Sequence, residues 1–147
     1  MHDVVIDTTI VQKANARLTK EPGAAKLFLR RVRLLQRIQR GELRALKSQK
    51  LIAEYRRQVR EPRNDFVRAF LELIDHPTRS LLNWKHRWSG ADRDAARKCR
   101  FPGEDDHVLR TAIQREAVTT IYSEEARMIR ADGCIYRAFR VHVLDLP

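Results

Sequence analysis

The stretch Val4-Val5-Ile6-Asp7-Thr8-Thr9 decides the fold that the sequence predicts. The consecutive β-branched residues Val4 to Ile6 are typical of a strand buried on both faces, as the central strands of a parallel sheet are. Asp7 follows where that strand should end. In an open sheet with helices on both faces, ligands bind beyond the carboxyl ends of the strands. Asp7 therefore has two interpretations, as the cap of the following turn or as a group that opens into a binding crevice.

The composition points to a polyanionic partner. The 147 residues include 30 Lys and Arg against 19 Asp and Glu, so the formal net charge is +11. A surplus this large exceeds what solubility requires, and it favours RNA or DNA over an anionic membrane surface. The length and an apolar content of 43% predict that residues 1–147 form a single domain with a proper core.

Cysteine usage and the lack of long apolar segments suggest a location. Cys99 and Cys134 form no CxxC pair, and neither has a histidine at ligand spacing, so we expect neither a disulfide framework nor a zinc ribbon. This usage fits a reducing cytosol. The N-terminal residues do not resemble a signal peptide, and no segment approaches the roughly 18 apolar residues of a membrane span. We therefore expect a cytoplasmic protein without membrane contact.

Hydrophobic periodicity along the chain alternates between strands and helices. After the first strand comes a polar stretch as far as Lys20, and later strands are expected at 42–46, 118–122 and 139–143. Helices are predicted at 24–39, 49–60 and 64–75, at Glu104-Asp105-Asp106 onward, and from Ser123 to Asp132-Gly133. The segment 77–101 is less clear, although Leu81, Leu82, Trp84 and Trp88 suggest a helix. Interleaved strands and helices indicate an α/β fold with a mainly parallel sheet and right-handed crossovers.

Basic and aromatic residues leave two questions open. On one side of the helix 24–39, basic residues recur at spacings of four, three, four and three: Lys26, Arg30, Arg33, Arg37 and Arg40. Such a stripe is either a solvated face or a track for phosphates. Trp84 and Trp88 lie four residues apart with basic residues between them, which suits either base stacking or core packing.

Acidic residues recur at the predicted ends of neighbouring elements. They are Asp7 after a strand, Glu54 in a helix, Asp105 or Asp106 at a helix start, and Glu124 or Glu125 after another strand. Singly, each could serve as a helix cap or a surface ion-pair partner. Carboxylates that converge at one sheet edge repel each other unless a hard cation such as Mg²⁺ or Mn²⁺ neutralises them. Such a cation activates water and neutralises a scissile phosphate, as a phosphodiesterase acting on nucleic acid requires.

These segments resemble the four acidic motifs of the PIN-domain nuclease family, in order, across nearly the whole chain. The matching segments are Val4 to Thr8, Ser48 to Tyr55, Asp105 to Ala112 and Ile121 to Glu125. The resemblance implies a three-layer fold, with a central, mainly parallel sheet of about five strands flanked by helices. It also implies a metal-dependent endoribonuclease, often the toxin of a toxin–antitoxin pair or an RNA-processing enzyme. An antitoxin or other inhibitory protein and a homodimer are the further partners that it suggests.

Carried over by position, the resemblance assigns the site. The catalytic acids are Asp7, Glu54, Asp106 and Glu125, and Mg²⁺ or Mn²⁺ is expected on Asp7, Asp106 and Glu125. Glu54 completes the acidic pocket or orients the nucleophilic water. Supporting roles are expected for Thr9, Asp105, Ser123 and Glu124. For contacts to the RNA backbone the candidates are Arg30, Arg33, Arg37 and Arg56.

The chain also departs from the family pattern. Thr9 replaces the usual Asn or Ser, although its hydroxyl can still hold a water or a carboxylate. The fourth acid is commonly Asp, whereas this chain offers Glu124 or Glu125. The segment 62–101 matches no motif, and we expect a variable helical segment there that selects RNA or a partner. The alternative function is a catalytically lapsed PIN-fold module that binds RNA or another protein.

Overall fold

In the computed structural model, which describes residues 2–147, five strands form one parallel sheet. They are β1 (His2–Ile6), β2 (Leu43–Lys47), β3 (Ser80–Leu82), β4 (Thr119–Tyr122) and β5 (Val141–Leu144). The order across the sheet is β3-β2-β1-β4-β5, and every neighbouring pair is parallel. The strand that precedes Asp7 is therefore the central one. The predicted α/β class and the five-stranded parallel sheet are confirmed.

Helices flank this sheet. Within residues 2–147 they are α1 (Thr8–Ala14), α2 (Ala24–Gln39), α3 (Gln49–Gln58), α4 (Asp65–Asp75), α5 (Gly90–Lys98), α6 (Asp106–Ala112), α7 (Ala126–Arg130) and α8 (Asp132–Phe139). A 3₁₀ turn at Gly103–Asp105 leads directly into α6. The bounds of α2, α3 and α4 agree with the predicted ranges to within two residues. No helix in the described part of the chain is both long and apolar enough to cross a membrane.

The core is centred on β1. Val4, Val5 and Ile6 are fully buried, which is what a central strand covered by helices on both faces requires. Tyr55 of α3 is buried against this strand, and its hydroxyl donates a hydrogen bond to the carbonyl oxygen of Ile6. This bond fixes the middle of α3 against the last residue of β1. The side chain that precedes Tyr55 is thereby brought towards the carboxyl edge of the sheet.

Three local predictions are wrong. The polar stretch after Asp7 contains helix α1, because Ile10, Val11 and Ala14 lie at helical spacing and are buried. Leu81 and Leu82 belong to the short edge strand β3, and the chain from 83 to 89 is not helical. Asp132 begins α8, where the sequence predicts that a helix ends. In each case the local pattern is short, and packing in the folded chain decides between helix, strand and loop.

The expectation about the cysteines is also wrong. Cys99 and Cys134 form a disulfide that joins the end of α5 to α8, with their Cα atoms 5.3 Å apart. They are separated by 35 residues in the sequence, so no local spacing motif could reveal the pairing. The bond follows from the packing of α5 against α8, which the unclear segment 77–101 did not allow us to predict.

Candidate active site

Asp7 lies at the carboxyl edge of the two central strands. Its backbone N–H donates to the carbonyl of Tyr122, the last residue of β4, at 3.0 Å. Only 4% of Asp7 is exposed, and its side chain does not cap the following helix. The hydroxyls of Thr9 and Ser123 both donate to its Oδ2 atom, each at 2.8 Å. Asp7 is therefore held by two neutral donors, one from α1 and one from the end of β4.

Burial raises the pKa of Asp7 above its ordinary value. The hydrogen bonds from Ser123 and Thr9 oppose this shift because they stabilise the carboxylate. The nearby charge of Glu54 adds to the shift, since two carboxylates repel each other. The net result is a buried acid that favours its proton more than an ordinary aspartate does, and no Lys or Arg within residues 2–147 forms an ion pair with it.

Asp105 joins Asp7 and Glu54 from the 3₁₀ turn before α6. Its pKa is raised to about 7, first by burial and then by the charges of Asp7, Glu104, Glu54 and Glu125. Repulsion of this kind requires that the carboxylates lie near one another. The pKa of the Tyr55 hydroxyl is raised well above its usual value for the same reasons, by burial and by Asp7 and Glu54. Tyr55 thus positions Glu54, a role that its apolar spacing in the sequence did not reveal.

Asp106 is held by Arg97 of α5, which contacts both of its carboxylate oxygens. Consecutive residues at a helix start project about 100° apart, so only one of two neighbouring aspartates can face the strand ends. The structure gives that place to Asp105. The sequence assigned the catalytic role to Asp106 and a supporting role to Asp105, and their surroundings favour the reverse.

Glu124 and Glu125 also have arginine partners. Arg31 of α2 holds Glu124 through two hydrogen bonds of 2.8 Å. Glu125 accepts from Arg127 Nε at 3.1 Å and lies at the start of α7. The same Arg127 binds Glu104 at 2.8 Å, and its hydrogen bonds lower the pKa of Glu125. Glu125 therefore already has a counter-charge, although its own charge still helps to raise the pKa of Asp105.

The ion pairs divide the acids at this edge into two sets. The outer acids, each with an arginine partner, are Glu104, Asp106, Glu124 and Glu125. The inner acid group consists of Asp7, Glu54 and Asp105, and within residues 2–147 none of these forms an ion pair with Lys or Arg. Glu54 contacts the imidazole of His107, a partner that sequence reasoning missed. Although the chain has 30 basic residues, the three acids of the inner acid group have no Lys or Arg ion-pair partner in the described part of the chain.

The inner acid group fits a hard cation in its chemistry. All of its donors are carboxylate oxygens, their mutual repulsion is uncompensated, and the adjacent Thr8 hydroxyl is buried without a partner in the described chain. In the same residues, no three His, Cys, Asp or Glu side chains are already gathered closely enough to hold a metal ion. The group is therefore a set of candidate ligands whose side chains would have to close around the ion.

The predicted RNA-binding arginines lie in different places. Arg30 donates to the carbonyl of Leu146 at 2.6 Å, beyond the end of β5 and so on the same edge as Asp7. Arg37 pairs with Glu42, just before β2, and so lies at the opposite edge. Arg33 is exposed on α2, and Arg56 makes an exposed pair with Asp75. The basic residues of the N-terminal half of α2, among them Arg30, therefore lie at the same edge of the sheet as the candidate site.

No family model, curated protein or solved structure matches this chain. The interpretation of the site therefore rests on its own geometry and charges.

Proposed function

We propose that the protein is a Mg²⁺- or Mn²⁺-dependent endoribonuclease that cuts RNA phosphodiesters at the inner acid group. The observation that carries the proposal is that, within residues 2–147, Asp7, Glu54 and Asp105 form no ion pair with Lys or Arg. Buried carboxylates without a counter-charge are costly, and such groups cluster at functional sites. The net charge of +11 supplies the attraction for a polyanionic substrate.

The proposed catalytic roles of the residues follow from their surroundings. Asp7 and Asp105 are the proposed metal-holding acids, and Thr9 and Ser123 fix the orientation of Asp7. Glu54, in contact with His107, is placed to accept a proton from the attacking water. A bound Mg²⁺ or Mn²⁺ would supply Lewis-acid polarisation of a phosphate oxygen and a lowered pKa for the water. By analogy with the family that the sequence resembles, the products carry a 5′-phosphate and a 3′-hydroxyl.

Asp106 and Glu125 receive a secondary part in this proposal. Arg97 and Arg127 hold them, so neither is free to bind a cation without breaking an ion pair. We therefore place them around the site, where they orient these arginines. The antitoxin and the homodimer that the sequence suggests remain part of the proposal. The cytoplasmic location also remains in it, although the Cys99–Cys134 disulfide removes the argument for a reducing cytosol that the cysteines gave.

A second candidate function is a lapsed module of the same fold that binds RNA or a protein without cutting. Two observations favour it: no closed set of metal ligands is gathered within residues 2–147, and Glu125 is neutralised by Arg127. Such a module would keep the affinity for RNA that the net charge provides and would show no dependence on metal.

Two neighbouring aspartates provide a matched test. Purified wild type, Asp105→Asn and Asp106→Asn are incubated with end-labelled single-stranded and structured RNA, with Mn²⁺ and with EDTA. We expect Mn²⁺-dependent cleavage by the wild type, at least about a hundredfold less by Asp105→Asn, and most of it retained by Asp106→Asn. Equal cleavage by the wild type and Asp105→Asn would contradict the proposed site. RNA binding without cleavage in any condition would favour the lapsed module.

A further inference from the structure

A groove runs beside the inner acid group, at the carboxyl ends of β2 and β3. It has a volume of about 490 Å³ and is lined by Ser48 to Lys50, by Leu82 to Trp84 and by His86. Ser48 directly follows β2, and β2 pairs with the strand that leads to Asp7. The groove and the inner acid group therefore share one edge of the sheet and lie beside adjacent strands.

Both walls of the groove are fastened to α6, the helix that begins next to Asp105. On one wall, Ser48 Oγ lies 2.8 Å from the hydroxyl of Thr111. On the other, the Asn83 amide donates to the carbonyls of Thr111 at 2.7 Å and Ile113 at 2.9 Å. Arg110 donates to the carbonyl of Lys85 at 2.8 Å and to that of His86 at 3.0 Å. The segment 83–86 is therefore fixed although it has no regular secondary structure.

The two tryptophans differ in their surroundings. Trp88 stacks on Phe139 of α8, with ring centres 6.0 Å apart and planes 20° apart, and so packs against the core. Trp84 instead lines the groove. The guanidinium carbon of Arg110 lies 4.0 Å from the centre of the Trp84 ring, so a cation covers part of the indole. Core packing therefore describes Trp88, whereas Trp84 belongs to the lining of the groove.

The charge and polarity of the groove identify its occupant. Lys50 is an exposed cation on one wall, His86 places an exposed imidazole on the other, and Leu82, 59% exposed, adds apolar surface to the groove. A nucleobase is flat and apolar on its faces, and it is joined to phosphates that cations attract. An apolar peptide would use Trp84 and Leu82 but would gain nothing from the flanking positive charge.

We propose that this groove is a base-binding subsite, in which Trp84 stacks on a nucleobase of single-stranded RNA. The flanking phosphates contact Lys50 and His86, and the adjacent phosphodiester reaches the inner acid group. The identity of the ligand as RNA rests on the proposed function. Stacking on an indole accepts every base, so the subsite selects unpaired strands over duplex and leaves the base sequence open.

The test measures binding in EDTA, so that it does not depend on cleavage. Fluorescence anisotropy follows a labelled eight-nucleotide uridine RNA, and an abasic strand of the same length reports the backbone contribution alone. Trp84→Leu keeps an apolar side chain but cannot stack, whereas Trp84→Phe keeps a ring. We expect Trp84→Leu to weaken uridine binding by about 5- to 150-fold and to leave abasic binding unchanged. Trp84→Phe should stay within a few-fold of the wild type.

A second measurement covers the case in which Trp84→Leu does not fold. In Trp88→Phe, Trp84 is the only remaining tryptophan. Its fluorescence should be quenched when the uridine RNA is added and should not respond to the abasic strand. Absence of that quenching would overturn the subsite, as would wild-type uridine binding by a folded Trp84→Leu variant.

The binding and cleavage results together distinguish failure of the base-binding subsite from failure of the proposed nuclease function. Loss of stacking in Trp84→Leu supports the subsite even if the wild type never cleaves RNA. Cleavage that disappears in Asp105→Asn, together with unchanged uridine binding by Trp84→Leu, overturns the subsite and leaves the nuclease standing. Self-association that Trp84→Leu abolishes, with RNA binding unchanged, would assign the groove to a second copy of the chain and overturn the subsite.

Discussion

Asp3 and Asp7 are two buried aspartates at opposite ends of the central strand, and their surroundings differ. They are 6% and 4% exposed, so their solvent exposure is nearly equal, although Asp7 lies deeper among the protein atoms. Asp3 accepts from Arg44 at 2.7 and 3.0 Å and from the Gln114 amide at 2.9 Å. Asp7 accepts from two hydroxyls and faces the charge of Glu54. Two aspartates with nearly equal solvent exposure thus differ in their partners: Asp3 has a guanidinium partner, and Asp7 has only hydroxyl donors.

The difference appears in the direction of the pKa shifts. Burial alone would raise the pKa of both carboxyls. At Asp3 the hydrogen bonds and charge of Arg44, with the Gln114 hydrogen bond, outweigh burial and lower the pKa. At Asp7 the two hydroxyls do not outweigh burial, and the pKa is raised. The ionised carboxylate of Asp3 therefore stabilises the folded state, whereas that of Asp7 destabilises it.

The largest expected effect comes from removing the charge of Asp7. Asp7→Asn keeps the size of the side chain, so the change acts on the carboxylate. We expect Mn²⁺-dependent cleavage of labelled RNA to fall by at least about a hundredfold. The free energy of unfolding should stay the same or rise, because an uncompensated buried charge is lost. RNA affinity in EDTA should be unchanged or improved, and a marked loss of that affinity would contradict the assignment of Asp7 to the site.

The matched substitution at the other end of β1 should have the opposite profile. Asp3→Asn removes a carboxylate that holds Arg44 and Gln114, so we expect it to lower the free energy of unfolding by about 1.5–3 kcal/mol. Cleavage per folded molecule should be unchanged, since Asp3 lies at the far end of the strand from the inner acid group. Urea unfolding together with the cleavage assay checks both statements. If Asp3→Asn were as stable as the wild type and cleaved RNA less well, Asp3 would act in catalysis and not in stability, contrary to this prediction.

Much of the fold could be predicted because strong local patterns agree with the tertiary arrangement. The β-branched stretch at Val4 to Ile6 is buried on both faces in the structure, and the periodicity of 24–39 and 64–75 is that of α2 and α4. Helix α1 and strand β3 were missed because they have 7 and 3 residues, too few for a clear period. The disulfide was missed because it joins two helices that meet only in the folded chain.

The candidate site could be predicted only in part. The sequence identified Asp7, Thr9 and Ser123, which lie together because β1 and β4 are neighbours in a parallel sheet. It could not choose between Asp105 and Asp106, because the choice depends on the rotation of a 3₁₀ turn against Arg97 of α5. The groove at Trp84 depends on contacts with Arg110 and Thr111, which no spacing of residues in the sequence reveals.

The pH dependence of stability should have opposite signs for Asp105, in the inner acid group, and for Asp3, at the amino end of β1. Asp105 has a pKa raised to about 7 from an ordinary value of 3.8, so between these values the folded state binds more protons than the unfolded state. Its contribution to stability is present at low pH and is lost as the pH rises through about 7. Metal-free Asp105→Asn should therefore exceed the wild type at pH 8 by about 1–2 kcal/mol, allowing for partial solvent screening, and match it near pH 4.

At Asp3 the sign is reversed, because its pKa is lowered below 3.8. Its contribution is present above that value and is lost as the pH falls through the lowered pKa. Asp3→Asn should therefore cost stability at pH 7 and cost less at pH 3. Urea unfolding of both variants from pH 3 to 8, without metal, checks the two signs. If the difference in stability from the wild type changes in the same direction for both variants between pH 3 and pH 8, the contrast between Asp3 and Asp105 is wrong.

The smallest expected effect concerns the hydroxyl that holds Asp7. Thr9→Val keeps the shape of the side chain and removes one of the two donors to Asp7 Oδ2, whereas Thr9→Ser keeps that donor. Because a donor favours the carboxylate, its loss should raise the pKa of Asp7 further and weaken Mn²⁺ binding. We expect a cost of about 0.5–1.5 kcal/mol, equivalent to a few-fold to about tenfold in metal affinity, with Thr9→Ser close to the wild type.

Thermal unfolding at increasing Mn²⁺ concentration measures this affinity, because a ligand that binds only the folded state raises the midpoint. The defect of Thr9→Val should grow as the pH falls, since the proton competes with the ion for Asp7 at lower pH. A defect independent of pH would mean that Thr9 acts by packing alone. The opposite pKa shifts of Asp7 and Asp3 would then be due to the neighbouring charges and not to the hydroxyl donors that hold Asp7.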